Sequence, residues 1–209
     1  MDSIIITINR ECGSGGGEIA RLLGKQLGFK VYGRAMLECI AEQFDMSMEN
    51  IERVKAKKSN WWGEFCSFYK QFGAVGYEVG SRMEVTPKRI YYAEAALLRE
   101  LAEKESCIIV GRAGFHIFHD YPNAIHLFIR ASRDSRIARI ARKQNLSLED
   151  AAAVVDSVDE SRNTFVNTVA GISRYDARNY DHVFNVTGMA PDKVVSFLSD
   201  NVRFLLAHK

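Results

Sequence analysis

A glycine-rich segment directly after an apolar run is the first feature of this sequence that could carry chemistry. The segment CGSGGGEIARLL covers residues 12–23 and follows IIITIN at residues 4–9. A strand, a glycine-rich turn and a helix can together bind an anion, because backbone N–H groups converge on it and the helix N-terminus adds partial positive charge. Glycines suit such a turn because a side chain would block the anion. The segment therefore predicts a phosphate-type loop at Gly13, Ser14, Gly15, Gly16 and Gly17.

The loop departs from the standard phosphate-loop pattern GxxxxGK[ST]. Laid on this chain, the pattern places Arg10 at the first glycine, Gly15 at the second, Gly16 at the lysine and Gly17 at the hydroxyl residue. Only Gly15 agrees. The ammonium group that usually contacts the phosphates is therefore missing from the loop.

Two charged residues beside the loop could supply part of what is missing. Arg10 leaves the apolar run directly into the loop and is the nearest replacement cation, with a salt bridge to Glu11 or Glu18 as the alternative. Glu18 could hold Mg²⁺, and stabilisation of the helix N-terminus is the alternative for an acid in a first turn.

A dinucleotide-binding turn is disfavoured. The pattern GxGxxG needs glycines at positions 13, 15 and 18, and position 18 is Glu18. The second apolar run ends in Tyr32, Gly33 and Arg34, without the acid that binds a ribose hydroxyl. A nicotinamide enzyme is therefore not expected.

Five apolar runs alternate with helical patterns along the chain. A parallel sheet covered on both faces is typical of this alternation, so we predict an α/β fold with a five-stranded parallel sheet. A helix is expected from Glu18 to the terminating Gly28. Residues 45–92, which contain KAKKSNWW, fit the alternation poorly and are predicted to form a helical insert. The strands are expected at residues 3–9, 29–33, 107–111, 124–131 and 182–188.

Composition favours a cytoplasmic protein with one domain. A chain of 209 residues with 47% hydrophobic residues can build one α/β core. A net charge of only +2 gives no general attraction for nucleic acid or anionic membranes. The four cysteines are scattered and no signal or membrane-spanning segment is apparent, so reduced thiols are expected.

Beyond the loop, the sequence resembles the cytidylate kinase-like family, a branch of the P-loop nucleoside monophosphate kinases. ITINRECGSGGGEIARLLGKQLGFKVYGR matches the opening of that family. The likeness continues, in order, in CIIVGRAG, AIHLFIRASRDSRIARIARKQNLS and RYDARNYDHVFNVTG. It implies a P-loop NTPase-like, three-layer α/β/α fold in which ATP and Mg²⁺ serve phosphate transfer to a nucleoside monophosphate such as CMP.

The resemblance also implies domain boundaries. Residues 1–209 form one kinase-like domain, whose core comprises residues 1–44, 93–142 and 180–209. A nucleoside-monophosphate-binding insert covers about residues 45–92, and a lid covers about residues 143–179. Departures from the family occur at Gly17, Gly33 and Ala113, where relatives commonly carry arginine, aspartate and aspartate. The acceptor nucleotide therefore stays open.

The resemblance assigns further roles to polar residues outside the loop. Arg34 and Arg112 follow strand-end glycines and would bind the acceptor phosphate, since a guanidinium suits bidentate contacts. Arg112 and Arg162 are expected to be catalytic, together with Arg10 as the replacement cation beside the loop. Donor phosphates and adenine would contact Arg136, Arg139, Asp159, Asn185 and Thr187.

The helix after the fourth strand carries the first two of these donor contacts. Arg136 and Arg139 are expected on the side of that helix opposite Ile137 and Ala141. Arg133 and Arg142 fit a solvated basic face better. Arg174 and Arg178 are expected as further lid cations or plain loop charges.

The sequence as a whole favours an ATP-dependent kinase acting on small-molecule nucleotides, without nucleic-acid or membrane partners. The oligomeric state is open, with a homodimer as one option. A nucleotide-sensing protein with a degenerate loop and little turnover is the main alternative. A nucleic-acid-associated module that uses the basic helix is the third.

Overall fold

The computed structural model describes residues 3–33 and 87–207. Arg34, the KAKKSNWW segment and nearly all of the expected insert lie outside the described residues. The chain divides into two compact units, Met1–Gly33 with Arg99–Lys209, and Arg34–Leu98. The sheet and all residues discussed below belong to the first unit, and only a part of one helix is described in the second.

Helices and strands alternate through the described chain. The strands are β1 (Ile5–Arg10), β2 (Lys30–Tyr32), β3 (Cys107–Val110), β4 (Ala124–Arg130) and β5 (His182–Asn185). The helices are α1 (Gly16–Leu27), α2 (Pro87–Lys104), α3 (Gly114–Ile117), α4 (Arg133–Gln144), α5 (Leu148–Ala170) and α6 (Pro191–Ala207), with a 3₁₀ turn at Ala177–Asn179. None of the described helices is long and apolar enough to cross a bilayer.

The five strands form one sheet in the order β2-β3-β1-β4-β5, and every pairing is parallel. The prediction of a five-stranded parallel sheet is confirmed. In β1, Ile6 and Ile8 belong to the main core with Leu23 of α1 and Leu198 of α6. Alternate side chains of a strand face opposite sides, and Thr7 accordingly lies near Gly114 of α3. Helices thus cover both faces of the central strand.

Close packing fixes α1 on the sheet and gives a first testable expectation. A Cβ on the buried Gly24 would lie 2.5 Å from Cγ2 of Val31 and 2.8 Å from the carbonyl oxygen of Phe29. The carbonyl belongs to the backbone and cannot move away cheaply. Gly24→Ala should therefore lower the free energy of unfolding by about 1–3 kcal/mol, the usual cost of overpacking, as measured by urea denaturation.

The matched control is Gly17→Ala, a helical glycine with open space around its Cβ position. Its free energy of unfolding should stay equal or rise by up to about 1 kcal/mol, because alanine favours helix more than glycine does. Equal stability of the two variants would contradict the packing argument at Gly24.

Helices α4 and α5 form an antiparallel pair that reaches the glycine-rich loop. Asn145 ends α4 in the left-handed conformation, and the Ser147 side chain caps α5 by accepting from the amide of Asp150 at 3.0 Å. The apolar contact between the helices is a small cluster that also includes the loop residue Cys12. Its other buried members are Ile137, Ile140, Ala151 and Val155. Through this cluster, α5 is packed onto the loop itself.

Candidate functional site

The glycine-rich loop lies at the carboxyl end of the central strand β1, where the chain enters α1. Gly13 and Gly15 have positive φ angles of 78° and 84°, which glycine adopts without steric cost. The hydroxyl of the buried Ser14 donates to the carbonyl of Glu11 at 2.9 Å and accepts from the amide of Gly16 at 3.4 Å. Ser14 therefore maintains the shape of the loop from inside.

Backbone amides of the loop are available to an anion. Among the residues that the structure describes, no acceptor bonds the amides of Gly13, Gly15 and Gly17. They lie just before or within the first turn of α1, which begins at Gly16, two residues earlier than the sequence predicts. The partial positive charge of a helix N-terminus acts on the same place. This geometry suits phosphate oxygens.

Two guanidinium groups lie directly against the loop glycines. The Arg139 guanidinium occupies the space that a Cβ of residue 15 would need, and its Nη1 donates to the carbonyl of Gly13 at 3.3 Å. The Arg10 side chain passes Gly16, where a Cβ would lie 2.6 Å from the arginine Cβ, and its guanidinium occupies the Cβ space of Gly111. These glycines therefore leave room for arginines as well as for a ligand.

Arg10 forms no ion pair with any of the residues described, so the salt bridge to Glu11 or Glu18 is not what the structure shows. Burial, and then the positive charges of Arg162, Arg174 and Arg112, lower the pKa of Arg10 to about 9. The guanidinium is still charged at neutral pH and is surrounded by like charge.

Arg112 lies in a turn whose backbone has the left-handed conformation. Gly111, Arg112 and Ala113 have φ angles of 77°, 58° and 51°. The left-handed conformation costs a residue with a side chain about 1–2 kcal/mol, and such strain is concentrated at functional sites. The Arg112 guanidinium carbon lies 5.7 Å from the centre of the Phe165 ring of α5. The turn after β3 thus directs Arg112 toward α5.

Asp159, in the middle of α5, joins the loop to the arginines. Its carboxylate accepts from the amide of Cys12 at 2.8 Å and from Nη1 of Arg136 at 2.6 Å. It also lies 3.7 Å from Nη1 of Arg162 and 3.5 Å from Nη1 of Arg174. Asp159 is only 9% exposed, so it positions cations and the loop instead of facing a ligand.

Arg162 lies one helical turn after Asp159 and remains partly accessible, with 30% of its side chain exposed. Its Nη1 donates to the carbonyl oxygen of Arg10 at 3.1 Å. Burial, followed by the charge of Arg174, lowers the pKa of Arg162. Arg162 therefore lies beside Arg10, and it shares its carboxylate partner, Asp159, with Arg136 and Arg174.

Arg174 has a more central place than the sequence indicates. It is fully buried, and its Nη2 donates to the carbonyl oxygen of Arg10 at 2.5 Å and to Oδ1 of Asn9 at 3.2 Å. The hydroxyl of Tyr180 donates to the backbone carbonyl of Arg174 at 2.6 Å and accepts from the side-chain Nδ2 of Asn9 at 2.7 Å. Sequence analysis missed Asn9 and Tyr180, because only the folded chain brings these separate segments together.

One sequence prediction on α4 is wrong. Arg136 does not lie opposite the apolar side of the helix: it is 9% exposed, and the neighbouring Ile137 is 8% exposed. Its burial is tolerated because Asp159 pairs with it and because Glu11 Oε2 lies 3.5 Å from its Nε. Nη1 of Arg136 also donates to the carbonyl of Cys12 at 3.2 Å. Arg136 therefore helps to hold the backbone of the loop in place.

The other predicted residues lie at the edge of the site or away from it. Glu18 is exposed in the first turn of α1. Asn185 and Thr187 are exposed, and Thr187 accepts from the amide of Ser132 at 2.7 Å, which ties the end of β5 to the start of α4. Arg178 pairs with Asp176 within its own loop, and its hydrogen bonds lower the pKa of Asp176 to about 2.

The site has a surplus of positive charge. Among the residues that the structure describes, five guanidinium groups lie around the loop with only two carboxylates, Glu11 and Asp159, so positive groups outnumber negative ones there. The whole chain carries only +2, so the excess is local. A polyanion would balance it, and the loop amides are placed to bind one. The five arginines are Arg10, Arg136, Arg139, Arg162 and Arg174.

The described residues contain no group of three or more histidine, cysteine, aspartate or glutamate side chains that could hold a metal ion. Glu18 is the exposed carboxylate in the first turn after the loop. One carboxylate fits Mg²⁺ that is bound mainly by substrate phosphates, the usual mode for this ion.

Comparison with known proteins identifies the family of this chain. The model of the cytidylate kinase-like family matches residues 5–188. The cytidylate kinase of Thermoplasma acidophilum is 23% identical over 198 residues, which cover 94% of this chain and 91% of that protein. The cytidylate kinase of Methanopyrus kandleri is 22% identical over 213 residues, which cover 98% of this chain and 95% of that protein.

Solved structures agree on the fold. An uncharacterised protein from Eubacterium ventriosum has a TM-score of 0.70 at 22% identity, covering 96% of this chain and 99% of that one. A shikimate kinase from Bacteroides thetaiotaomicron has a TM-score of 0.51 at 13% identity, covering 96% and 98%. The sheet, the loop at its centre and the match over residues 5–188 lead to one conclusion: this chain has a P-loop α/β fold and belongs to the cytidylate kinase-like family.

Proposed function

We propose that the protein transfers the terminal phosphate of ATP to a nucleoside monophosphate of the CMP or dCMP type, or to a related small molecule. The observation that carries the proposal is the group of guanidinium groups around the glycine-rich loop, which outnumber the carboxylates among the described residues. Phosphoryl transfer depends mostly on positioning and on stabilising charge on the phosphate oxygens. The named cytidylate kinases among its relatives support the choice of acceptor.

Each part of the site has a task in this reaction. The amides of Gly13, Gly15 and Gly17 and the N-terminus of α1 would bind the donor phosphates. Arg139 lies against the loop and would balance their charge. Mg²⁺ would be held by the phosphates with Glu18 as a protein ligand, and when bound it supplies charge neutralisation between the phosphates.

The acceptor side of the site would be formed around Arg112 and Arg162. Both guanidinium groups lie by the carboxyl ends of the central strands, where ligands of open α/β sheets bind. Asp159 would keep Arg162 in place through their 3.7 Å pairing.

A panel of acceptors tests the proposal. Purified protein with ATP and Mg²⁺ should release ADP steadily when CMP, dCMP or UMP is added, and chromatography should show the matching diphosphate. Steady turnover with one acceptor supports the kinase. Binding of ATP without turnover across the whole panel would favour the nucleotide-sensing alternative, which is motivated by the missing loop lysine.

Arg162→Met should reduce kcat by about 10²–10³-fold, the usual effect of removing one preorganised donor to a transition-state oxyanion. Methionine keeps much of the volume of the side chain but removes its charge. Steady-state kinetics on the acceptor found in the panel would measure the effect. A kcat within about threefold of the wild-type value would contradict the role given to Arg162.

Arg133→Met is the matched control for Arg162→Met. Arg133 is exposed on α4, pairs with Asp156 at 2.6 Å and lies outside the arginine group at the loop. Surface ion pairs contribute little to stability, so its kinetics should match those of the wild-type protein. A drop as large as that of Arg162→Met would indicate a general charge effect.

A further inference from the structure

The guanidinium groups at the loop approach it from opposite sides. Arg139 belongs to α4, which follows β4. The Arg10 guanidinium instead lies against Gly111, which follows β3. Since β3 and β4 flank β1 on opposite sides, the loop lies between the two cations. The donor phosphates on the loop would therefore have one guanidinium on the β4 side and another on the β3 side.

Arg10 differs from the two buried arginines, Arg136 and Arg174, in its neighbours. Arg136 and Arg174 are paired with the Asp159 carboxylate, whereas Arg10 has no carboxylate partner among the described residues and lies among cations. Charge that is taken out of water without a partner is costly. An anion bound beside Arg10 would compensate the charge of its guanidinium and offset this free-energy cost. The surroundings of Arg10 therefore favour the binding of an anion.

The position of Arg10 is fixed by the fold. Its Cα belongs to the last residue of β1, and its backbone carbonyl accepts from Arg162 at 3.1 Å and from Arg174 at 2.5 Å. Gly16 and Gly111 leave space for its side chain, because a Cβ at either residue would collide with it. The backbone of Arg10 is thus held in place and its side chain lies between two glycines, which favours the preorganisation that stabilisation of a transition state requires.

We propose that Arg10 binds the phosphoryl group during its transfer and so takes the part that lysine plays in a standard phosphate loop. The proposal rests on the proposed function. The phosphates bound along the loop would lead from the Arg139 side toward β3, where Arg10 and the strained Arg112 turn lie. A guanidinium fork can contact two equatorial oxygens of the moving group at once.

The chemistry of the step places a cation at these oxygens. The bond between the bridging oxygen and the terminal phosphorus of ATP breaks, and its electron pair stays on the ADP that leaves. A new bond forms between that phosphorus and an oxygen of the acceptor phosphate. Charge on the three equatorial oxygens must be balanced throughout. Arg10 neither gives nor takes a proton.

Selective loss of ATP binding is the first test. We would measure ATP and ADP affinity by calorimetry with Mg²⁺ for the wild-type protein, Arg10→Met and Arg10→Lys. ATP affinity of Arg10→Met should fall about 10- to 100-fold, the usual loss for a hydrogen bond to a charged group, and ADP affinity should change less than about threefold. The kcat of Arg10→Met should fall about 10²–10³-fold. The kcat of Arg10→Lys should lie between those of Arg10→Met and the wild-type protein.

Arg21→Met is the matched control, because Arg21 is an exposed arginine on α1 outside the site. It should keep wild-type affinities and kcat. Thermal melting without nucleotide checks that each Arg10 variant is folded. Free guanidinium ion added to Arg10→Ala should restore part of kcat, a result that a merely structural arginine would not give.

The outcomes separate this inference from the proposed function. Wild-type protein that neither binds ATP nor turns over would overturn the proposed function, and the role of Arg10 with it. Active wild-type protein together with Arg10 variants that keep kcat, or that lose ATP and ADP affinity equally, would overturn the role of Arg10 alone. Selective loss of ATP affinity with guanidinium rescue supports it.

Discussion

Gly15→Ala is expected to abolish nucleotide binding almost completely. The φ angle of Gly15 is 84°, and a Cβ there would collide with the Arg139 guanidinium. The substitution would therefore displace the loop amides and the cation next to them together. A misplacement of about 1 Å in a preorganised site can cost about 10²-fold. Calorimetry with ATP and Mg²⁺ should show at least that loss of affinity.

A second glycine separates this local effect from simple backbone strain. Gly28 ends α1 with a φ angle of 74°, and nothing lies within 4 Å of its Cβ position. Gly28→Ala should cost about 1–2 kcal/mol of stability, as left-handed alanine does elsewhere, and keep its affinity for ATP. If both variants bound ATP equally well, the loop would not be the binding element.

Asp159→Asn should give the largest loss of stability. Its carboxylate balances Arg136, Arg162 and Arg174 and accepts from the amide of Cys12. Removing one partner of a buried ion pair typically costs about 3–5 kcal/mol, because the remaining charge is left uncompensated. Urea denaturation of the protein without ligand measures the loss. Sulfate or ATP should recover part of it, since a bound anion supplies the missing negative charge.

Asp156→Asn is the matched control on the same helix. Asp156 is exposed, with 60% of its side chain accessible, and pairs with Arg133 at 2.6 Å. Exposed pairs contribute about 0–1 kcal/mol, so this variant should lose little stability and show no special response to anions. Comparable losses in the two variants would show that Asp159 is not the centre of the arginine group.

The order of strands and helices could be predicted from the sequence because it depends on local patterns. Apolar runs mark the five strands, and Gly28 ends α1 as expected. Their ends are less regular: the first strand runs to Arg10 instead of residue 9, and α1 begins at Gly16 instead of Glu18. These shifts matter, since they place Arg10 on a rigid strand and the amide of Gly17 in the first helical turn.

The roles of individual arginines were harder to predict. The spacing on α4 placed Arg136 on the outer side of the helix, although it is buried on Asp159. Arg174 was expected as a lid cation or loop charge, although it is fully buried beside Asn9. Helical periodicity describes one element by itself, and it cannot show which charged groups from other elements will neutralise a residue.

The sequence by itself determined the parallel sheet, the glycine-rich loop after its first strand and the absence of lysine from that loop, because each follows from residues that are close together in the chain. Only the tertiary structure decided which charges meet there. Cys12 and Asp159 are 147 residues apart, and Arg174 and Asn9 are 165 apart. Such pairs form because the fold brings the ends of the strands and the middle of α5 to one place, where the free energy of buried charge depends on every neighbour at once.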